Sequence, residues 1–538
     1  MKHFVLLLAA LNLAGPVWAH EKQMIGRGYP TPLPTIDAGE DAATLKVVIK
    51  DRDTDEIVSA VVSINDGAQE PEDDPLQIFS LRKSANRHKG PIRFRDLDYY
   101  FFTTGSFPVR VPPGRCKIEV SKGYEYLPVE QVLSLDEGES SEVVVYIRRW
   151  IDMVEQGWYS GDLHLHLERT GSNDDTLLAL TSAKDIKYGF VLSMNTNGYD
   201  QGKDFESWNQ AKGLGNQSIN RKGPYHISSG QEYRPQSLGH VSIVIGDDYI
   251  PGHGRSENIN DGPSLSVIAD QAHQLNGFIG LLHGGYDHME ADRLGLTGKM
   301  DFLELLQFGG YRGLGLDGWY DFLNLGYRWP IVGSSDFPYT RELGDCLTYV
   351  KAESTPTVRE FVQQVAAGAS FVTSGPMLFL DVNGRSAGDS LSFPDKDGIE
   401  VETRVRVLSP LHPVQHVDLI QNGVVVERKF APDGKAWWEF VETLTLNGSG
   451  WIAARAYGQA GTDAHTNPLY VFMDGKRPFS KDACDQILAR LAGSLRTIPN
   501  LEIRKQLEKL GRQLRHYRDK GDATGLALPP VPKSGSSP

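Results

Sequence analysis

The chain is poor in cysteine and in basic residues. Its 538 residues include only 3 cysteines, Cys116, Cys346 and Cys484, which are odd in number and far apart. We therefore expect small buried thiols and no disulfide framework. Lysine and arginine (55) are outnumbered by aspartate and glutamate (69), so the net charge is −14. Sequence-independent binding of nucleic acid needs a basic face, so we expect no nucleic-acid partner.

Long apolar runs are also lacking. The most apolar stretch, residues 4–13, is shorter than the roughly 20 residues that span a bilayer. It follows Lys2 and precedes the small-residue sequence VWA (17–19), a pattern typical of a secretory signal peptide over residues 1–19. We expect a periplasmic or secreted protein with no integral membrane segment after signal cleavage.

The rest of the composition is that of a folded protein with many turns. Hydrophobic residues make up 40% and charged residues 23%, which argues against a largely disordered chain. The length predicts about three or four domains of roughly 100–200 residues each. The 56 glycines and 30 prolines indicate frequent turns and favour a β-rich architecture.

The apolar pattern changes along the chain and predicts its domains. Short alternating strands in 40–149 and 371–475 predict a β-sandwich in each segment. Between them, in 150–370, apolar runs alternate with helical stretches, which predicts an α/β barrel. An apolar stripe predicts a helical segment at 480–520, and the Pro- and Ser-rich tail at 521–538 predicts disorder. The fold class is therefore multidomain: an α/β barrel flanked by two β-sandwich domains, with a C-terminal helical segment.

Within 150–370, five apolar runs are predicted as buried parallel strands: 189–192, 241–245, 277–282, 302–306 and 330–332. Residues 264–275 and 356–367 are predicted as helices. In an α/β barrel the chemistry lies at the C-terminal ends of the strands. Polar residues that end these runs are therefore candidate site residues.

The strongest local motif is GDLHLH (161–166). Residues two apart in a strand point the same way, so His164 and His166 converge on one face together with Asp162. Two imidazoles held this way can share one metal ion. Four further residues lie at or beside the ends of predicted strands: Glu232, His240, His283 and Asp336. Histidine combined with carboxylate suits zinc, manganese or iron.

These motifs resemble those of a known superfamily. GDLHLH (161–166), GQEYRPQSLGH (230–240), GLLHGG (280–285) and VGSSDF (332–337), in this order, are similar to the motifs of the PHP (polymerase and histidinol phosphatase) superfamily. The closer resemblance is to CehA/McbA-type metallohydrolases, which carry a distorted PHP-type barrel with flanking β-domains. The N-terminal sandwich resembles the carboxypeptidase-regulatory type.

The resemblance implies two metal ions. His164, His166, Glu232 and Asp336 would hold the first ion. Glu232, His240 and His283 would hold the second, with Glu232 bridging the two. The family typically has Thr-Asp-His where this chain has Ser193-Met194-Asn195, and Asp-x-His where it has Asp336-Phe337-Pro338. A third metal position is therefore not expected unless Asn195 or Asn197 substitutes as a weak ligand.

The implied activity is that of an exported metal-dependent hydrolase. A hydroxide held between the two ions would cleave a phosphoester, or an ester, amide or carbamate, in a small-molecule substrate. We assign His288 and Arg341 catalytic roles, as general acid and as anion-binding group; other candidates for these roles are Asp287, His226 and Arg328. His465 is a further candidate that could reach the barrel mouth.

Two rival functions follow from the same residues. The chain could be a non-catalytic exported binding protein built on a partly decayed metal site. A nuclease resembling polymerase-linked PHP domains is the third interpretation, and the acidic charge and predicted export argue against it. The substrate, the native metal and the oligomeric state do not follow from the sequence.

Overall fold

The computed structural model describes residues 37–71, 76, 81–82, 99–167, 169, 172–196, 215–234, 239–250, 263–285, 291–337, 342–394, 397–458, 461–497 and 501–521. The predicted signal peptide at 1–19 and residues 522–538 of the predicted tail lie outside these ranges. The described chain is rich in strands, which form several sheets, as the composition predicts.

The N-terminal segment contains two sheets, with strand orders β5-β1-β9-β7 and β3-β4-β2-β6-β8. Alternate side chains of both sheets, among them those of Leu45, Val62 and Cys116, meet in one hydrophobic core. The strands are β1 (Ala43–Asp51), β2 (Ala60–Ile64), β3 (Leu81–Arg82), β4 (Tyr99–Thr103), β5 (Ser106–Val111), β6 (Gly114–Ser121), β7 (Tyr126–Leu127), β8 (Val129–Leu135) and β9 (Ser140–Arg149).

The central segment alternates strands and helices. Its strands are β10 (Trp158–Leu165), β11 (Tyr188–Thr196), β12 (Asn220–Lys222), β13 (Tyr225–Arg234), β14 (Val241–Val244), β15 (Phe278–Leu281), β16 (Phe302–Gln307), β17 (Gly310–Tyr311), β18 (Ile331–Gly333), β19 (Leu347–Lys351) and β20 (Ser370–Thr373). Its helices are α1 (Asp174–Ala183), α2 (Leu265–Gln274), α3 (Ala291–Thr297), α4 (Gly315–Asn324) and α5 (Val358–Ala367).

The main strands of this segment follow one another in the order β10-β11-β13-β14-β15-β16-β18. The chain after β18 then returns to β10, where Leu165 and Phe337 form a parallel bridge. The N–H of Asp336 donates to the carbonyl of His164 (2.9 Å), and the N–H of His166 donates to the carbonyl of Phe337 (2.7 Å). The segment that follows the last strand of the series is therefore hydrogen-bonded to the C-terminal end of the first strand.

One predicted strand direction is wrong. Residues 241–245 were expected in a parallel strand, but β14 is antiparallel to both of its neighbours, β13 and β15. The connection from β13 to β14 is the reason: only residues 235–240 separate them, whereas a parallel crossover needs a dozen or more residues. The start of β14 therefore lies at the edge where the parallel strands β11, β13 and β15 end.

The C-terminal part begins with a second pair of strand layers around one core that includes Leu380, Val405 and Leu419. One layer has the order β22-β21-β24-β27, and the other continues from β20 through β29 and β28. The strands are β21 (Met377–Val382), β22 (Arg385–Ser386), β23 (Ser390–Phe393), β24 (Ile399–Leu408), β25 (Val414–Gln421), β26 (Val424–Phe430), β27 (Trp437–Leu446), β28 (Gly450–Gly458), β29 (Asp463–Thr466) and β30 (Leu469–Met473).

Two helices, α6 (Lys481–Thr497) and α7 (Leu501–Lys520), end the described chain. The predicted apolar stripe of α7 is buried through Ile503, Leu507 and Leu514, which join the same core as Trp319 of α4. The stripe therefore packs on its own protein. No helix in the described ranges has both the length and the apolar character needed to cross a membrane.

A buried ion-pair network attaches the N-terminal segment to the central one. The guanidinium of Arg149, at the end of β9, contacts the carboxylates of Glu125 (2.5 Å) and Asp185 (2.8 Å). Both carboxylates are buried, and Asp185 belongs to the central segment. Asp185 also pairs with Lys187 (2.7 Å), so removal of the guanidinium would leave the buried carboxylate of Glu125 without a cation among the described residues.

We predict that Arg149→Met lowers the free energy of unfolding by about 3–5 kcal/mol. The reason is that a buried carboxylate that loses its cation strongly destabilises the folded protein. Urea denaturation measures the change. The control is Arg148→Met, since the neighbouring Arg148 is exposed. A loss no larger than that of the control would contradict a structural role for this network.

Candidate metal centre

Six side chains predicted from the motifs come together where strands of the central segment begin or end. His164 and His166 lie at the end of β10, and Glu232 lies near the end of β13. His240 directly precedes β14, His283 follows β15 and Asp336 follows β18. The reversed direction of β14 matters here, because it brings the start of that strand to the edge where β13 and β15 end.

The first group of donor atoms has the dimensions of a metal site. His166 Nε2 lies 3.0 Å from Glu232 Oε2 and 3.2 Å from Asp336 Oδ1. His164 Nε2 lies 3.7 Å and 3.4 Å from the same two oxygens. Ligands about 2.0–2.1 Å from a tetrahedral ion are about 3.4 Å apart, so the spacing between the two ring nitrogens and each of these oxygens suits a shared ion.

The ring nitrogens of His164 and His166 face each other with their Nε2 atoms 2.9 Å apart. Nδ1 of His164 is 2.9 Å from Glu304 Oε1, and Nδ1 of His166 is 3.1 Å from the carbonyl oxygen of Leu192. Both partners are acceptors, so each Nδ1 carries a hydrogen, and in the neutral form of the rings each Nε2 directs its lone pair at the other. Two facing lone pairs repel unless a proton or a cation lies between them, so these residues fit a metal ion.

A second group of donors lies on the other oxygen of Glu232. Its Oε1 is 2.8 Å from His240 Nδ1 and 3.7 Å from His283 Nε2, and the two histidine nitrogens are 3.2 Å apart. Nδ1 of His283 is 2.8 Å from Gln307 Oε1, so the Nε2 lone pair of His283 also faces this group. Glu232 therefore offers one oxygen to each group.

Electrostatics keep the carboxylates of the cluster ionised. Burial alone would raise the pKa of Asp336, but the adjacent His164 and His166 lower it to about 2. Burial likewise acts to raise the pKa of Glu232, and the positive charge of Arg234 holds it well below its usual range. Burial lowers the pKa of His240 to about 3, although Glu232 opposes the shift. The centre therefore presents anionic oxygens and a neutral His240, the forms that bind cations.

Charge also acts on the paired histidines. Burial would lower the pKa of His164, but the carboxylates of Glu304 and Asp336 raise it well above its usual value. The pKa of His166 is raised in the same way, by Asp336 and Glu232 against burial. The carboxylates thus favour a positive charge at these rings. Either a bound proton or a bound metal cation would supply it.

The backbone is held in an uncommon conformation at two of the six residues. His283 and Asp336 have φ values of 56° and 57°, in the left-handed region that non-glycine residues seldom adopt. The N–H of His283 donates to Glu304 Oε2 at 2.9 Å, which fixes the turn. Asp336 Oδ2 is buried and has no hydrogen-bond partner among the described residues. A buried carboxylate oxygen without a donor is a further feature that a cation would satisfy.

Two buried acids support the cluster. The sequence placed Asp162 on the face of His164 and His166 without identifying its partners, and it did not single out Glu304. Glu304, in the middle of β16, contacts His164 Nδ1 and the backbone of His283. Asp162 accepts from Ser335 Oγ (2.5 Å) and from the N–H groups of Ser335 and His164. Burial raises the pKa of Asp162 to about 7, against these hydrogen bonds. A lone glutamate inside the apolar sequence FLELLQ (302–307) was the signal that could have identified Glu304.

Three other candidates lie elsewhere. His226, at the start of β13, stacks on Tyr188 with ring centroids 4.8 Å apart, at the opposite end of that strand from Glu232. Arg328 donates to the carbonyl of Gly388 and covers the ring of Tyr470. His465 is fully buried and accepts from the hydroxyl of Tyr320 (2.6 Å), because its Nδ1 donates to a backbone carbonyl.

The assigned catalytic residues His288 and Arg341 lie outside the described residues, as do Asp287 and Pro338, so their roles stay predictions. The backbone of Met194 pairs with Glu232 in the register of β11 and β13.

No protein-family model and no curated protein matches the chain. Among solved structures, Endonuclease Q in complex with a 27-mer duplex substrate is 15% identical, over 39% of this chain and 57% of its own, with a TM-score of 0.26. PfuEndoQ from Pyrococcus furiosus, a lesion-specific endonuclease, is 13% identical, over 38% and 55%, with a TM-score of 0.25. The chain thus spans less than two thirds of either structure.

We predict that Glu304→Gln weakens metal binding about 10–100-fold, the usual effect of removing an acceptor behind a ligating histidine. The amide has one acceptor oxygen where the carboxylate has two, so either His164 Nδ1 or the N–H of His283 loses its acceptor. Competition with a metal chelator measures the affinity. The control is Glu353→Gln on an exposed turn. Equal affinities in the two variants would show that Glu304 does not support the centre.

Proposed function

We propose that the protein is a metal-dependent hydrolase of the PHP superfamily, of CehA/McbA type. The observation that carries the proposal is the position of Glu232, whose two oxygens face two separate groups of ring nitrogens. The strand series that returns from β18 to β10 is proposed to be the distorted barrel of that superfamily. The paired strand layers on either side of it in the chain are proposed to be the flanking β-sandwiches.

Two divalent ions fit this arrangement. His164, His166, Glu232 and Asp336 would hold the first, and Glu232, His240 and His283 the second. Nitrogen and oxygen donors together suit zinc, manganese or iron. Bound ions of this kind supply Lewis acidity, which lowers the pKa of water and stabilises negative charge that develops during hydrolysis.

The chain itself orients the ligands and excludes bulk water. Glu304 holds His164, the carbonyl of Leu192 holds His166, and Gln307 holds His283, so each ring is fixed with Nε2 toward the centre. Five of the six side chains are at most 4% exposed, whereas that of His240 is 17% exposed. We infer that a substrate approaches on the His240 side.

Charge favours a substrate that is negative at the reacting group. Two divalent ions would outweigh the carboxylates of Glu232, Asp336 and Glu304. The guanidinium of Arg234, with Nε 3.7 Å from Glu232 Oε1, adds a further positive charge beside the centre. A phosphoester of a small molecule fits this balance best, and an ester, amide or carbamate is the other class to be tested. The predicted signal peptide supports action in the periplasm or outside the cell.

We predict about two transition-metal ions per purified wild-type chain. His166→Ala should lose mainly the first ion, His240→Ala mainly the second, and Glu232→Ala both, because Glu232 contributes to each group. His273→Ala is the matched control, since His273 is 40% exposed and pairs with Asp301 away from the centre. Elemental analysis of the purified variants measures the ion content. Wild type without metal, after growth with added zinc and manganese, would contradict the proposal.

Turnover tests the catalytic part of the proposal separately. We expect the metal-loaded wild type to hydrolyse at least one of 4-nitrophenyl phosphate, bis(4-nitrophenyl) phosphate, 4-nitrophenyl acetate and an aryl carbamate. Each metal-ligand variant should lose at least about 100-fold in rate, more than a supporting residue would cost. If the wild type holds metal and cleaves none of these, a non-catalytic binding protein becomes the better interpretation.

A further inference from the structure

A cavity lies at the opposite end of β10 from the metal centre. It has a volume of about 370 Å³ and is lined by Trp158, the first residue of β10, and by side chains of β19, β21, β24 and β27. His164 is six residues further along the strand, about 20 Å away at roughly 3.3 Å per residue. The cavity is therefore separate from the centre described above.

The floor of the cavity is the outer face of the sheet β22-β21-β24-β27. Leu380 and Val405 point into the core of this part, so their neighbours along the strands point outward. Phe379 pairs with Arg406 across β21 and β24, and Asp381 pairs with Arg404. The guanidinium carbon of Arg406 is 4.6 Å from the ring centroid of Phe379, so the arginine lies over the aromatic face.

The wall comes from the central segment. Trp158 and Lys351 are directly paired across the antiparallel strands β10 and β19, and both line the cavity. The indole of Trp158 packs edge-on against Phe379, with ring centroids 5.6 Å apart. Floor and wall therefore meet in an aromatic corner, with a cation on each side of it: Lys351 on the wall and Arg406 on the floor.

The cations of the cavity differ in how they are paired. Arg404 has the carboxylates of Glu402 and Glu439 at 3.6 Å, too long for hydrogen bonds. Lys351 and Arg406 form no ion pair with any part of the chain that the structure describes. The carboxylates of Asp381 and Glu439 also line the cavity, and Glu439 lies opposite Arg406 across β24 and β27. Three cations therefore face two carboxylates, which leaves one positive charge in excess. Lys351 and Arg406 offer charge-assisted hydrogen bonds to an incoming anion.

We propose that this cavity binds a small organic oxyanion with a flat apolar body. Its carboxylate would pair with Arg406 and Lys351, and its body would pack against Trp158 and Phe379. The volume lies within the range of small-molecule sites, which often form between domains. The site does not depend on the metal centre, so either proposal can fail without the other.

The probe is 2-naphthoate, and 2-naphthamide serves as its neutral isostere. Isothermal titration calorimetry on the full-length protein should show a dissociation constant for 2-naphthoate of about 1 mM or tighter, as expected for a ligand of this size. The amide should bind at least about tenfold more weakly, because charge-assisted hydrogen bonds are lost. No binding of 2-naphthoate, or equal binding of acid and amide, would overturn the proposal.

Substitutions locate the site. Arg406→Gln and Lys351→Gln should each weaken 2-naphthoate binding about tenfold or more. Lys435→Gln, on an exposed loop of the same part of the chain, should leave it unchanged. Metal content should be the same in all three variants. Lys351 is exposed, so its variant remains informative if Arg406→Gln melts at a lower temperature. Unchanged affinity in both cavity variants would overturn the location.

Discussion

The two imidazoles of His164 and His166 point their Nε2 lone pairs at each other across 2.9 Å, and the function proposed for this chain depends on that contact. Each ring is fixed from behind by an acceptor, Glu304 or the carbonyl of Leu192, so neither can turn away without losing a buried hydrogen bond. Such a pair is stable only around a positive charge. The neighbouring carboxylates of Glu232 and Asp336 supply the anionic oxygens that a metal ion needs.

The fold makes this contact possible through two features of the central segment. The backbone hydrogen bonds of Asp336 to His164 and of His166 to Phe337 join the segment after β18 to the end of β10, which brings distant parts of the sequence together. The short connection before β14 reverses that strand, so that His240 reaches the edge where Glu232 and His283 lie. The left-handed turns at His283 and Asp336 are further adjustments at the same edge, as is common at functional sites.

Much of the centre could be predicted from the sequence because its geometry is local. The two-residue period of a strand suffices to put His164 and His166 on one face, and each other ligand lies at or beside the end of an apolar run. Glu304 stands out as a lone glutamate in an apolar run, but its partners His164 and His283 lie on other parts of the chain, so its role could not be assigned from local pattern. The direction of β14 was missed although the length of the preceding connection determines it. The cavity at Trp158 was not foreseen, because the outer face of β24 has the alternation of an ordinary solvent-facing strand and only tertiary packing brings it to β10.

The arrangement of the segments likewise depends partly on local sequence patterns and partly on long-range contacts. The strand-rich architecture and the C-terminal helices follow from composition and periodicity, and the apolar stripe of α7 packs on its own protein. The network of Arg149, Glu125 and Asp185 could not be inferred, because its members are far apart in the sequence and none lies in a recognisable motif. Long-range charge pairing of this kind depends on how the segments pack, which local pattern does not encode.

The most direct test is a crystal structure of protein grown with zinc or manganese, with anomalous scattering measured at the absorption edge of the metal. We predict two anomalous peaks, one on each side of Glu232. One should lie about 2.0–2.3 Å from the ligand atoms of His164, His166 and Asp336, and the other beside His240 and His283. A map with no peak in this cluster, or with the ring nitrogens of His164 and His166 turned apart, would contradict the proposed metal centre.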